Sequence, residues 1–142
     1  MKKDVILTIK GAIENVDIED ADDVELITSG NYYEKNGKKY IIYEESEVTG
    51  FGEGIKTMLK IDGDKVTMTR GGERGTIMEF EAGKTHLGHY ETPFGSFTVS
   101  TITDRLRVAL KETSGEIDID YFVDVNNVPQ SKNSLSVKIR EA

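Results

Sequence analysis

The chain has no cysteine and only two prolines in 142 residues. The missing thiols exclude disulfides, thiolate nucleophiles, iron–sulfur clusters and Cys-type zinc sites. Long apolar runs are also missing. Val5–Ile9 is interrupted by Thr8 and stops at Lys10, short of the roughly 7–15 apolar residues of a secretory signal. It is far shorter than the roughly 18 apolar residues of a membrane helix. Lys2 stands where myristoylation needs glycine, so the expected compartment is the cytoplasm, with no membrane partner. Basic charge is scarce as well, 18 Lys and Arg against 26 Asp and Glu. A net charge of −8 argues against a nucleic-acid binder that relies on phosphate contacts.

Strong helix formers are few: Ala and Leu total 12 residues, whereas Val, Ile and Thr total 38. β-Branched side chains suit the pleated, half-buried surface of a sheet, which makes the chain all-β before any pattern is read. Its length fits one domain, residues 1–142, large enough to bury a core without metal or disulfide staples.

The pattern agrees with the composition. Val5, Leu7 and Ile9 alternate with polar positions, as do Thr57, Leu59 and Ile61, then Val66, Met68 and Arg70, then Met78 and Phe80. Asn36-Gly37 between two such runs is a type I′ hairpin signal, since both residues tolerate positive φ. Asp62-Gly63-Asp64, Gly71-Gly72, Gly83, Pro93-Phe94-Gly95 and Ser114-Gly115 supply further turns. Phe97, Val99 and Thr101 lead to a break near Asp104, after which Leu106, Val108 and Leu110 resume the alternation. Arg105–Glu112 is the one helix-compatible piece, and its clean alternation favours a strand. Ile117 to Val125 and Leu135 to Ile139 complete eight to ten strands. Sequential strands with one apolar face close on themselves to protect their edges. The expected form is an antiparallel up-and-down β-barrel with a semi-polar interior.

Seven of the acids fall in Glu14–Glu25, leaving 18 basic and 19 acidic residues elsewhere. This segment lacks the residue order of a Ca²⁺-binding EF-hand and is expected to be a solvated connection between the first two strands. The charge on the rest of the chain is near neutral, so an anionic ligand stays compatible with it.

The candidates for chemistry are few. His86 and His89 are the only histidines; spacing of three on a strand sends them to opposite faces, and no metal site is expected. One of them near Glu79, Glu81 or Glu91 makes a general base conceivable, the least favoured of three readings. Gly50–Gly54 and Gly83-Lys84-Thr85 resemble phosphate-cradling loops, but neither opens a helix. Arg70 shares the Val66/Met68 face by alternation: inside a barrel it needs an anionic ligand or acidic partner, while at the strand end it reaches solvent. No nucleophile elbow or Ser/His/Asp set is present, so no catalytic residues and no cofactor are expected.

The run Gly75…Met78-x-Phe80…Gly83, then Tyr90-Glu91-Thr92-Pro93-Phe94-Gly95, the Ile102-Thr103 step and Gly115-x-Ile117-x-Ile119-x-Tyr121 together resemble the YwiB-like β-barrel proteins, a bacterial family of unknown function. The likeness covers nearly the whole length. It implies a calycin-type, lipocalin-like barrel and brings no catalytic residues with it. The first expectation is therefore a barrel that binds a small molecule in its interior or mouth, with Arg70, His86, His89, Tyr90 and Arg105 as the polar residues there. The alternative is a packed barrel that serves as a protein-interaction or homo-oligomerising module through outward aromatics such as Tyr32, Tyr33, Phe51 and Phe122.

Overall fold

The structure, a computed structural model, describes residues 2–15, 21–44, 56–71, 76–92, 95–112 and 114–142. Ten strands follow one another: β1 (Lys3–Asn15), β2 (Ala21–Lys35), β3 (Lys38–Glu44), β4 (Lys56–Asp62), β5 (Lys65–Arg70), β6 (Thr76–Glu81), β7 (Thr85–Thr92), β8 (Gly95–Leu110), β9 (Ser114–Val125) and β10 (Val128–Glu141). All pairings are antiparallel, in the order β6-β5-β4-β3-β2-β1-β10-β9-β8-β7. The described residues contain no helix long and apolar enough to cross a membrane.

Each turn obeys the chemistry of its residues. Asn36 and Gly37 both take positive φ, 54° and 76°, the type I′ geometry that matches strand twist. Asn126 and Asn127 do the same at 50° and 66°, a turn that Asn permits more readily than other side chains. The expected solvated connection after β1 is mostly strand: Ile13 pairs with Asp22 and Gly11 with Val24. Only residues 16–20 of the acidic segment fall outside the description. Val24 and Leu26 alternate with exposed Asp23 and Glu25, so these two acids occupy the outer face of a regular strand rather than a loop.

The ladder is staggered. From Thr103 it runs through Tyr121, Asn133 and Ile13 to meet β2 at Asp22. The other way round, from Phe80 through Val66, Ile61 and Lys39, it meets β2 at Glu34. Such an offset tilts the strands steeply about the barrel axis. It also sets the upper half of β8 beside the tips of the β4–β5 and β6–β7 turns.

The interior is filled. Val5, Leu7, Ile41, Leu59, Val66, Phe80, Ile117, Ile119 and Val137 are essentially inaccessible. Gly30 is required here, because a Cβ would come 2.5 Å from the Ile42 carbonyl oxygen and 2.8 Å from Leu7 Cδ1. Tyr32 belongs to this core, not to an outward aromatic set. Its burial, and secondarily the charge of Glu34, raises its hydroxyl pKa, and the hydroxyl donates to the Lys111 carbonyl at 3.3 Å. Tyr33 does face outward and stacks on Tyr40 at 5.0 Å.

The break in β8 is a bulge. The register with β9 slips between Thr103 and Arg105, with Asp104 the extra residue. Before it Thr101 and Thr103 point inward; after it Leu106, Val108 and Leu110 do. One added residue inverts the parity of everything that follows.

Candidate functional site

The buried polar residues gather in one part of the barrel. Tyr43, Thr57 and Arg70 lie opposite one another across β3, β4 and β5, at the ends of β3 and β5 and the start of β4. Thr57 is fully buried, Tyr43 nearly so and Arg70 half-buried; each is engaged by neighbouring groups. On the facing wall Tyr121 stands between its register partners Thr103 and Asn133. Its ring packs at 4.8 Å and 60° on Phe80. Burial raises the Tyr121 hydroxyl pKa, while the charge of Arg70 pulls it partly back. Arg70 and Tyr121 therefore sense one another across the interior. Thr103 is 1% exposed and its hydroxyl has no hydrogen-bond partner among the described residues. A buried hydroxyl left unpaired costs about 1–3 kcal/mol, so this one stands out in an otherwise satisfied wall.

This arrangement predicts a particular alkaline behaviour. A tyrosine with a raised folded-state pKa contributes stability that is complete below its unfolded value near 10.0 and is lost as pH rises through the folded value. Replacing Arg70 with methionine removes the cation and moves Tyr121 further up. Ultraviolet titration of the phenolates in wild type, Arg70→Met and Tyr121→Phe reads this; an unchanged Tyr121 transition in Arg70→Met would mean that the two side chains do not face each other.

Of the other sequence candidates, the described His86 and Arg105 are not brought to this part of the barrel. His86 sits where the barrel closes. No ladder joins β6 to β7, and the His86 ring spans the gap instead, with Nδ1 at 3.0 Å from Glu79 and Nε2 at 3.0 Å from Glu81. The Nε2 contact is close without being aligned as a hydrogen bond. Lys65 on Glu79 at 3.3 Å and Lys84 on Glu81 at 3.0 Å complete a surface network. The hydrogen bond from Lys84, with the charges of Lys84, His86 and Lys65, holds the Glu81 carboxyl below its usual range against a smaller opposing desolvation. The network closes a seam.

Arg105 lies beyond the bulge and so points outward. It pairs with Asp120 at 3.6 Å and lines an open groove of about 510 Å³ with Lys10, Asp23, Glu25 and Asp118. The side chains of His89 and Tyr90 lie outside the described residues, as do the Gly50–Gly54 loop with Phe51. Among the described residues no group of three or more His, Asp or Glu side chains is placed to hold a metal ion. Sequence reasoning missed Tyr43, Thr57, Thr103 and Tyr121 as a set. The usable signal was polar residues at inward positions: Thr57 leads the Leu59/Ile61 face, and Thr103 is the last inward position before the break.

Comparison with known proteins gives the same barrel. The uncharacterized beta-barrel protein YwiB of Bacillus subtilis (strain 168) is 27% identical over 133 residues, covering 94% of this chain and 90% of that protein. Its crystal structure superposes with a TM-score of 0.81 at 25% identity, over 99% of this chain and 93% of the other. The profile of a domain of unknown function, DUF1934, matches residues 7–137. With nearly all ten strands inside that match, the chain belongs to the DUF1934 family of β-barrel proteins.

Proposed function

We propose that this chain is a small-molecule-binding barrel whose ligand enters the polar mouth and presents an anionic group to Arg70. The observation that carries this reading is the guanidinium held on the inner face beside Tyr121, whose neighbour Thr103 keeps a buried, unpartnered hydroxyl. Arginine's planar fork bonds two oxygens of a carboxylate or phosphate at once. Tyr43, Thr57 and Tyr121 add hydroxyls around it, with Met68 one inward step deeper and Phe80, the register partner of Val66, two steps deeper as an apolar floor. The apolar half of the interior is closed by its own side chains, so the ligand is small and stays in the mouth. His86 and Arg105 do not contribute.

Native mass spectrometry of protein purified gently from its own host tests this. The expected spectrum carries a retained small acid that Arg70→Met loses and Arg70→Lys partly keeps. An unliganded wild-type spectrum, joined with no thermal shift from a panel of small carboxylates and phosphate esters, would end the reading.

One observation favours the alternative of a homo-oligomerising module. Leu87, Ile102 and Phe122 share the outer face of β7, β8 and β9, with Leu87 68% exposed. Sedimentation of wild type and Leu87→Glu separates the two: the oligomer reading requires association that the charge abolishes.

A further inference from the structure

The bulge at Asp104 has a second effect, on the backbone of β8. The Lys111 amide donates to the Ser114 carbonyl at 2.8 Å, which fixes which residues exchange bonds with β9. Counting back along the ladder in steps of two, Ala109, Arg107 and Arg105 turn their N–H and C=O groups toward β9. Leu106, Val108 and Leu110 turn theirs to the other edge. Lower down, that same edge is covered: β7 pairs with β8 up to Ile102, and Thr103 exchanges bonds with the turn, to Lys84 at 3.1 Å and from Gly83 at 2.9 Å. Above Thr103 no described residue pairs with it.

Two open spaces lie along this bare edge. One, of about 620 Å³, is bounded by Leu106, Arg107 and Val108 on one side and by Gly63, Asp64, Ala82 and Lys84 on the other. The next, of about 480 Å³, continues past Leu110 and Lys111 toward Tyr33 and Lys39. At strand spacings of about 3.4, 4.8 and 10 Å a residue fills roughly 160 Å³, so the first space alone takes about four. We propose that this slot binds an extended peptide segment of a partner protein, which adds to β8 as an antiparallel strand in the line β7 leaves free. This site is separate from the mouth at Arg70 and does not depend on it.

The chemistry of the occupant follows from the edge. Unpaired donors and acceptors at alternate residues select an extended backbone. Directly opposed side chains share a face, so segment residues opposite Leu106, Val108 and Leu110 are apolar and complete the core. Those between them stand beside Arg107 and Lys111 on the outer face of β8, which favours acids; of the carboxylates across the first space, Glu81 is already paired with Lys84, and Asp64 lies at the turn tip. A second copy of this chain does not fit, because its own β8 edge is flanked by the same turns and two such slots cannot interleave.

The test uses the whole chain and a capped Val-Glu-Val-Glu-Val-Glu peptide, followed by amide exchange. In the free chain, Leu106, Val108 and Leu110 amides are expected to exchange at least tenfold faster than Arg107 and Ala109. Adding the peptide at millimolar concentration slows those three selectively. N-methylation at the valines, whose amides face β8, abolishes the protection; N-methylation at the glutamates leaves it, and a Val-Lys version binds at least tenfold more weakly. Slow exchange at all five amides in the free chain would overturn the proposal. So would absence of selective protection, equal loss from both methylation patterns, or protection that rises with protein concentration alone.

Discussion

Phe80→Ala is expected to lower the stability of the chain by about 3–5 kcal/mol, the usual range for emptying a fully buried aromatic site. Phe80 is 0% exposed and supplies the last inward side chain of β6. Its ring contact with Tyr121 at 4.8 Å joins the strand at one end of the sheet to β9 near the other. Because β6 makes no ladder with β7 or β8 among the described residues, the barrel there is held by side chains and by the two backbone bonds between Thr103 and the Gly83-Lys84 turn, so little in the backbone replaces the lost packing. Phe80 shares one buried cluster with its register partner Val66 and with Ile117 and Ile119, and in a close-packed core the space cannot be filled by small adjustments. Urea unfolding reads the effect as a lower midpoint at unchanged slope. Phe80→Leu, which keeps most of the volume, loses much less. A loss below about 1 kcal/mol for the alanine variant would mean that closure does not run through this ring. The same variant wets Tyr121, so its raised phenol pKa is expected to fall back toward the ordinary value.

Closure of this kind marks the limit of what single residues reveal. The hairpins at Asn36-Gly37 and Gly63 are legible because few residues accept positive φ. The inward face of β3 to β6 is legible because period-two alternation needs only local order. Arg70 was placed on that face by parity alone. The position of His86 was not legible: its contacts with Glu79 and Glu81 arise because β6 and β7 meet without a ladder, a property of the whole circuit of strands. The first half of β2 was hidden for a different reason. Its outward positions carry Asp23 and Glu25, and a dense run of acids reads as a solvated connection although Val24 and Leu26 keep the strand period. Arg105 shows how one residue changes an address. The break near Asp104 was visible, yet its consequence is that odd-numbered residues, inward at Thr101 and Thr103, face outward from Arg105 on. That shift removes Arg105 from the interior group and leaves Arg70 as the cation there among the described residues.

Deleting Asp104 together with Arg105 is the sharpest way to weigh that shift. With Asp104 alone removed, Thr103 and Arg105 keep their partners Tyr121 and Asp120, the ladder becomes regular, and Leu106, Val108 and Leu110 stay inward. With both removed and the lower half still paired with β7, the alternation from Thr103 sends Leu106, Val108 and Leu110 to solvent while Arg107 and Ala109 turn inward. Three half-buried apolar side chains lost at about 1 kcal/mol or more each, with a guanidinium group driven toward an apolar core, amount to more than about 3 kcal/mol. That is a large share of the 5–15 kcal/mol a domain usually has, so the expected result is a chain that fails to fold, or folds with a near-UV spectrum stripped of tyrosine signal. Asp104→Ser keeps the count of residues at an exposed position and is expected to change stability by no more than about 0.5 kcal/mol. The contrast matters more than either value: the bulge acts through the number of residues in the strand and hardly at all through the identity of the side chain. A variant lacking both residues that is as stable as wild type would show that β8 can be re-registered against β9. In that case the edge amides of Leu106, Val108 and Leu110 are not fixed by the fold, and the peptide slot loses its basis along with the bulge.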